Sequence, residues 1–345
     1  MILRYYFKEE TDVTENQGYG YVRRRLGRSG LELSEISLGL WTLGGPNWID
    51  GQSVGWENLD EDEAVAAVER GLELGCNHFD TADVYGNGRS EQRLGRILGG
   101  RRKDVIIATK VGWFQGTAEH SFQPVHIRHQ IEQSLVNLRT DYVDIYYFHH
   151  TDLGPYRDEA VEVMRRLKEE GKVRFIGQSG YEVDALCGMI EVLDPDVIQS
   201  RAHIMDTRMI EPQSRLAVMM AERDLGFVAF SPMAQGLLLD KFRPGNPPSF
   251  GEGDNRRDSR WFKQEFLAEL APKMDRLKER FGGGIDDLLR VSLQYPLAHR
   301  AVSCVIPGFR NVKQVELDLE PAGKALSVED AAWVRELFKD LKMTG

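Results

Sequence analysis

The chain has 345 residues, 41% of them hydrophobic, enough to bury a large core. Its formal net charge of −10, from 44 basic and 54 acidic residues, argues against nucleic acid as a partner, because phosphate binding needs a positive footprint. No apolar run reaches membrane-spanning length, and Met1 to Gln17 lack an apolar block with a cleavage site, so neither a membrane span nor a signal peptide is expected. Residues 1–20 show no periodicity and read as an N-terminal arm, and residues 21–345 as one domain. Arg25 to Leu33 read as a β-hairpin around Gly27-Arg28-Ser29-Gly30. Eight apolar, β-branched-rich runs follow as strands: 35–39, 77–80, 105–109, 143–148, 173–177, 197–199, 226–230 and 303–306. Between them lie amphipathic runs with i, i+3, i+4 spacing, among them 62–74, 125–138, 158–170 and 213–224, predicted as helices. Residues 241–259, rich in Gly, Pro and Asn, read as a long loop, and 328–341 as a C-terminal helix introduced by Ser327. The runs Arg23–Arg25 and Arg101–Lys103 read as solvated turns. Cys76, Cys187 and Cys304 show no paired spacing and sit in apolar settings, which points to reduced thiols and a cytoplasmic location.

Continuous apolar strands are those of a parallel sheet buried on both faces. Strict βα alternation leaves an open doubly wound sheet or a closed barrel. The open sheet would place Gly-x-Gly-x-x-Gly directly after its first strand, where Trp41-Thr42-Leu43-Gly44-Gly45 stands instead. The eight-fold count therefore predicts an α/β fold, a (β/α)8 TIM barrel with an N-terminal β-hairpin plugging its bottom and a C-terminal helix.

Barrel chemistry sits at the C-terminal ends of strands. The second strand runs into Asp80-Thr81-Ala82-Asp83-Val84-Tyr85, the third ends in Lys110, and the fourth in His149-His150. Asp80, Tyr85, Lys110 and His149 thus meet on one rim. A free tyrosine is a poor acid at neutral pH. A neighbouring Lys⁺ is expected to lower its pKa, a buried Asp to keep that lysine charged, and an imidazole to orient a carbonyl. Asp83 reads as a turn cap and His150 as structural or lining the substrate pocket. Trp41, Trp48, Trp56 and Trp113 lie near the same rim as candidate pocket walls. No metal site is expected.

The ordered set Phe79-Asp80-Thr81-Ala82-Asp83-Val84-Tyr85-Gly86, then Gly88 to Gly95, Thr109-Lys110 and Asp144 to His149, resembles the signatures of the aldo-keto reductase superfamily over about Arg24 to Glu320. The resemblance implies catalytic roles for Asp80, Tyr85, Lys110 and His149, and a nicotinamide cofactor held without a Rossmann fold. It implies Ser179 and Gln199 at the carboxamide and Phe230 stacked on the nicotinamide ring. Ser231, Pro232, Gln235, Gly236 and Leu237 match the loop over the pyrophosphate, and Gly308, Arg310, Gln314 and Asp318 the adenosine end. Gly180 and Asp318 replace the family's usual Asn, and Phe230 its Tyr. The Lys-Ser pair that some members use on the 2′-phosphate is absent, and the planar fork of Arg310 could hold that phosphate instead. NADPH is favoured over NADH, with an aldehyde or ketone as substrate. One alternative keeps the same residues, an NADP-binding regulatory or sensing subunit with weak reductase activity; another, a pyridoxal-phosphate barrel using Lys110 as Schiff base, is disfavoured by the Tyr85-His149 partnership.

Overall fold

The computed structural model describes Phe7, residues 22–341 and Met343. Apart from Phe7, the predicted arm over 1–20 lies outside the described residues. The hairpin forms as predicted: Arg23–Arg25 (β1) pairs antiparallel with Glu32–Ser34 (β2) across a 3₁₀ turn at Gly27–Ser29. Leu26, Leu31 and Leu33 share a buried cluster with Ile106, Ile145, Val197 and Val228, so the hairpin closes the bottom of the barrel. The Arg28 amide donates to the Asp224 carbonyl just below the seventh barrel strand.

The first barrel strand is short, Leu38–Gly39 (β3). A small hairpin of Trp48–Ile49 (β4) and Gln52–Ser53 (β5) follows, which the sequence pattern did not reveal. Glu61–Glu73 (α1) starts at Asp60, whose carboxylate caps the Glu63 amide, and three acidic residues in its first turn complement the helix dipole. Then come His78–Asp80 (β6), Arg89–Leu98 (α2), Ile106–Val111 (β7), Pro124–Leu138 (α3), Val143–Phe148 (β8) and Arg157–Glu169 (α4). Val173–Gly180 (β9), Val183–Leu193 (α5), Val197–Arg201 (β10), Arg215–Glu222 (α6) and Gly226–Phe230 (β11) continue the alternation. After the long loop, Gln264–Phe281 (α7) and Ile285–Ala298 (α8) precede Cys304–Ile306 (β12), Val312–Leu319 (α9) and Val328–Phe338 (α10).

All eight barrel strands are parallel, in the order β3, β6, β7, β8, β9, β10, β11, β12. The ring closes through isolated bridges, Ile36 to Val305 and Gly39 to Gly308. The main apolar cluster lies between strands and helices, and a second one joins α7, α8 and α10. No described helix is long and apolar enough to cross a membrane. The three cysteines are buried and free.

Residues 241–259 carry no helix or strand. They cross the barrel mouth to meet the segment after β5. Gly55 donates to the Gly253 carbonyl (3.2 Å), Asn255 donates to the Gly55 carbonyl (3.1 Å), and the Gly251 amide donates to Glu57 (2.9 Å). Arg256 forks onto Asp254 (2.9 and 2.7 Å) and lies over the rings of Trp56 and Phe250.

Candidate active site

Parallel strands point alternate side chains inward, and at their C-terminal ends the last inward side chain faces the mouth. On β7, Ile106 and Ala108 belong to the barrel interior, so Lys110 follows them inward. Its ammonium, 1% exposed, donates to Asp80 Oδ1 (2.5 Å), to the Thr81 carbonyl (2.7 Å) and to the Tyr85 hydroxyl (3.3 Å). The His149 ring meets Tyr85 edge-on with centroids 5.8 Å apart, and Trp41 stacks on Tyr85 at 5.9 Å. The four rim residues expected to act together are therefore in one place.

Burial sets their protonation. It holds the Tyr85 hydroxyl well above its ordinary pKa of 10, with the Asp80 charge acting in the same direction. This is opposite to the downward pull expected from Lys110, whose charge is engaged by Asp80. Burial lowers the Lys110 pKa, which Asp80 opposes. Burial, followed by the Lys110 charge, keeps His149 neutral, with its pKa well below 6.5. The site thus presents a neutral phenol, a neutral imidazole and a buried ion pair.

Asp83 is not a turn cap. It is buried, neither carboxylate oxygen has a partner among the described residues, and burial with the nearby Glu91 pushes its pKa well up. His150 is structural, with Nε2 3.0 Å from the Gly112 carbonyl and its ring against Phe122 and Trp113.

A cavity of about 680 Å³ opens above the four residues, within the range of small-molecule sites. Of the candidate cofactor residues, Ser179, Gln199, Phe230, Ser231, Pro232, Gln235, Gly236, Gly308, Arg310, Gln314 and Asp318 line it. Leu237 does not: its side chain packs into the second apolar cluster, because the chain reverses at Gly236. Trp41, Trp56 and Trp113 wall the cavity, whereas Trp48 does not and is half exposed.

Gln199 has a contact the sequence did not suggest. Its amide donates to Asp80 Oδ2 (2.6 Å), and Ser179 donates to its Oε1 (3.5 Å). Both Asp80 oxygens are thereby occupied. The loop after β11 holds Ser231, Ala234 and Gln235 at φ of 55°, 47° and 56°, left-handed conformations that cost about 1–3 kcal/mol each and mark a shaped site. At the far end Arg310 and Arg256 flank Asp254, and Lys241 faces Asp318. Asp318 is buried with Oδ2 unpartnered among the described residues, and burial raises its pKa well above 3.8. Among the described residues no cluster of His, Cys, Asp and Glu could hold a metal ion. The sequence reading missed Tyr181, Arg201 and Met343 on the cavity wall. The two-residue inward repeat through Gln199 and Arg201 could have revealed the second of these.

Comparison with known proteins follows the same lines. The model of the Aldo/keto reductase family matches residues 35–338. L-galactose dehydrogenase of Arabidopsis thaliana is 31% identical over 307 residues, 85% of each chain. A probable voltage-gated potassium channel subunit beta of Oryza sativa subsp. japonica is 28% identical over 85% of this chain and 88% of its own. Among solved structures, the aldo-keto reductase AKR11C1 from Bacillus halodurans, in its holo form, superposes with a TM-score of 0.72 at 28% identity, covering 91% of this chain and 95% of that one.

Proposed function

Because the chain belongs to the aldo/keto reductase family of oxidoreductases, we propose that it reduces an aldehyde or ketone to the alcohol with a nicotinamide dinucleotide, NADPH in preference to NADH, and with Tyr85 as proton donor. The observation that carries this reading is the Lys110 ammonium placed between Asp80 and the Tyr85 hydroxyl at the cavity floor.

The cavity wall fits a dinucleotide. Ser179, Gln199 and Phe230 would hold the nicotinamide end, residues 231–236 the middle, and Arg310, Gln314 and Asp318 the adenosine end. The support is chemical: Lys241, Arg256 and Arg310 gather around that end, and a guanidinium fork suits phosphate oxygens. The buried Asp318 Oδ2 lacks a partner among the described residues, as a group awaiting a polar heterocycle would. When bound, the dinucleotide supplies the hydride.

The chain's own residues handle the proton. A neutral His149 can donate a hydrogen bond to the carbonyl oxygen without competing as an acid. Tyr85, kept protonated by burial, gives its proton to that oxygen as charge develops there. The phenolate left behind faces the Lys110 ammonium at 3.3 Å, and Asp80 and the Thr81 carbonyl fix that ammonium in place. Tyr85→Phe is expected to lower turnover about 10²–10⁴-fold while dinucleotide binding, followed by protein fluorescence, stays nearly unchanged. A variant with wild-type turnover refutes the assignment of Tyr85.

The likeness to a channel subunit supports a second reading as an NADP-binding sensing subunit. Multiple turnovers on a simple aldehyde favour the enzyme. A single slow turnover with retained dinucleotide favours the sensor.

A further inference from the structure

Arg201 is a cation on the cavity wall that the proton chemistry does not use. On β10, Val197 faces the barrel interior, Ile198 the outer layer, and Gln199 reaches inward to Asp80. Arg201 continues the inward row one step nearer the mouth, registered beside Phe230 on β11.

It is held rigidly by one edge. Nε donates to Asp206 Oδ2 (3.0 Å) and one terminal nitrogen, Nη2, to the Met343 carbonyl (3.0 Å). The other, Nη1, has no partner among the described residues. Asp206 also takes a fork from Arg208 (3.0 and 3.1 Å), so two guanidinium groups share one buried carboxylate and a positive charge remains. Glu182, which reaches Arg208 at 3.3 Å, is largely in solvent and offsets little of that charge.

Position gives the charge its direction. Beyond the nicotinamide cradle of Ser179, Gln199 and Phe230, the groups suited to a dinucleotide run from β11 toward Arg310 beyond β12. Arg201, on β10, lies on the opposite flank of Phe230. Tyr181 packs edge-on against Phe230 at 5.5 Å. Arg201, Tyr181 and Tyr85 all line the same cavity, and the Tyr181 hydroxyl is near enough to the cation to feel its charge.

We infer that Arg201 is a substrate-recognising residue, binding an anionic oxygen group, carboxylate or phosphate, on the same molecule whose carbonyl lies at Tyr85 and His149. The inference rests on the reductase reading. An apolar wall of tryptophans would take the body of the molecule, and the free guanidinium edge selects those carrying an oxyanion.

Three aldehydes of similar size test it with the intact protein and saturating NADPH: 4-oxobutanoate, glycolaldehyde phosphate and neutral butanal. Wild type is expected to prefer one of the two anions over butanal by at least about tenfold in kcat/KM, and the better anion identifies the group. Arg201→Met should remove that preference, lowering kcat/KM for the anion about 10- to 100-fold, mainly through KM. Butanal turnover and dinucleotide affinity should stay within about twofold, and Arg201→Lys should recover part of the loss. Equal losses on butanal and the anions, weakened dinucleotide binding, or no anion preference in wild type each overturn the inference. If wild type turns over none of the three aldehydes, the reductase reading falls with it. If butanal is reduced without any anion preference, only the role of Arg201 falls.

Discussion

Tyr85 and Asp83 stand two positions apart, and burial raises the pKa of both. For the phenol this keeps a proton in place for donation. For the carboxyl it creates a strain that the Val84 amide and the Lys110 charge offset only in part. Neither Asp83 oxygen accepts a well-aligned hydrogen bond among the described residues, and the group sits near the charge of Glu91 and the Tyr146 hydroxyl, also unpartnered there. A carboxyl whose folded pKa lies above its unfolded value of 3.8 contributes fully below that value. The contribution is lost as pH rises through the folded pKa. Asn is neutral at every pH. Asp83→Asn should therefore match wild type in stability near pH 4 and exceed it increasingly toward pH 8, by on the order of 1–3 kcal/mol. Melting curves at the two pH values check this, and an equal shift at both contradicts it.

At the scale of elements, the hairpin shows how local chemistry fixes a long-range contact. Gly27 has φ of +48°, and a Cβ there would lie 2.2 Å from the Gly226 nitrogen. Gly27→Ala is expected to lift the plug from the barrel floor and cost on the order of 3 kcal/mol, read as a lower urea midpoint. A midpoint within error of wild type would show that the floor yields. This hairpin was legible in the sequence because turn residues and flanking leucines agree. The central strands were legible because burial on both faces leaves unbroken apolar runs. The first strand was predicted over 35–39 and forms at Leu38–Gly39, since Glu35 and Ser37 bond singly across the closure to Val305 rather than in a ladder. The β4–β5 hairpin has two residues per strand, too few for any periodicity. Asp80, Tyr85, Lys110 and His149 could be read because each lies at or just beyond the C-terminal end of a strand. The inward repeat places Arg201 on the wall but not its tie to Asp206, and Met343 lies there only through tertiary packing.

For the whole molecule, buried histidines set the acid limit. His78 and His203 are fully buried, and burial lowers their pKa values to about 4 and about 3. His126, His149 and His150 are lowered as well. A folded pKa below the unfolded 6.5 means stability that is present above pH 6.5 and lost as pH falls toward the folded value. Each such group contributes a slope of up to about 1.4 kcal/mol per pH unit. The raised carboxyls Asp83, Glu91 and Asp318 oppose them but are fewer. The melting temperature should fall steadily from pH 6.5 to 4 at constant ionic strength, and more steeply in Asp83→Asn. A flat profile over that interval would mean the imidazoles gain access to water before unfolding.

The seam between β3 and β12 has a consequence for biogenesis. The two strands that complete the ring are separated by almost the whole chain, and the Glu35 carbonyl and the Ser37 amide find their partners at Val305. A seven-strand sheet assembled while the nascent polypeptide is still on the ribosome would be curved and have an open side. That side stays adhesive until the last strand emerges. A stop codon shortly before Cys304 would thus yield more than a shortened enzyme: it would leave an exposed strand edge prone to self-association.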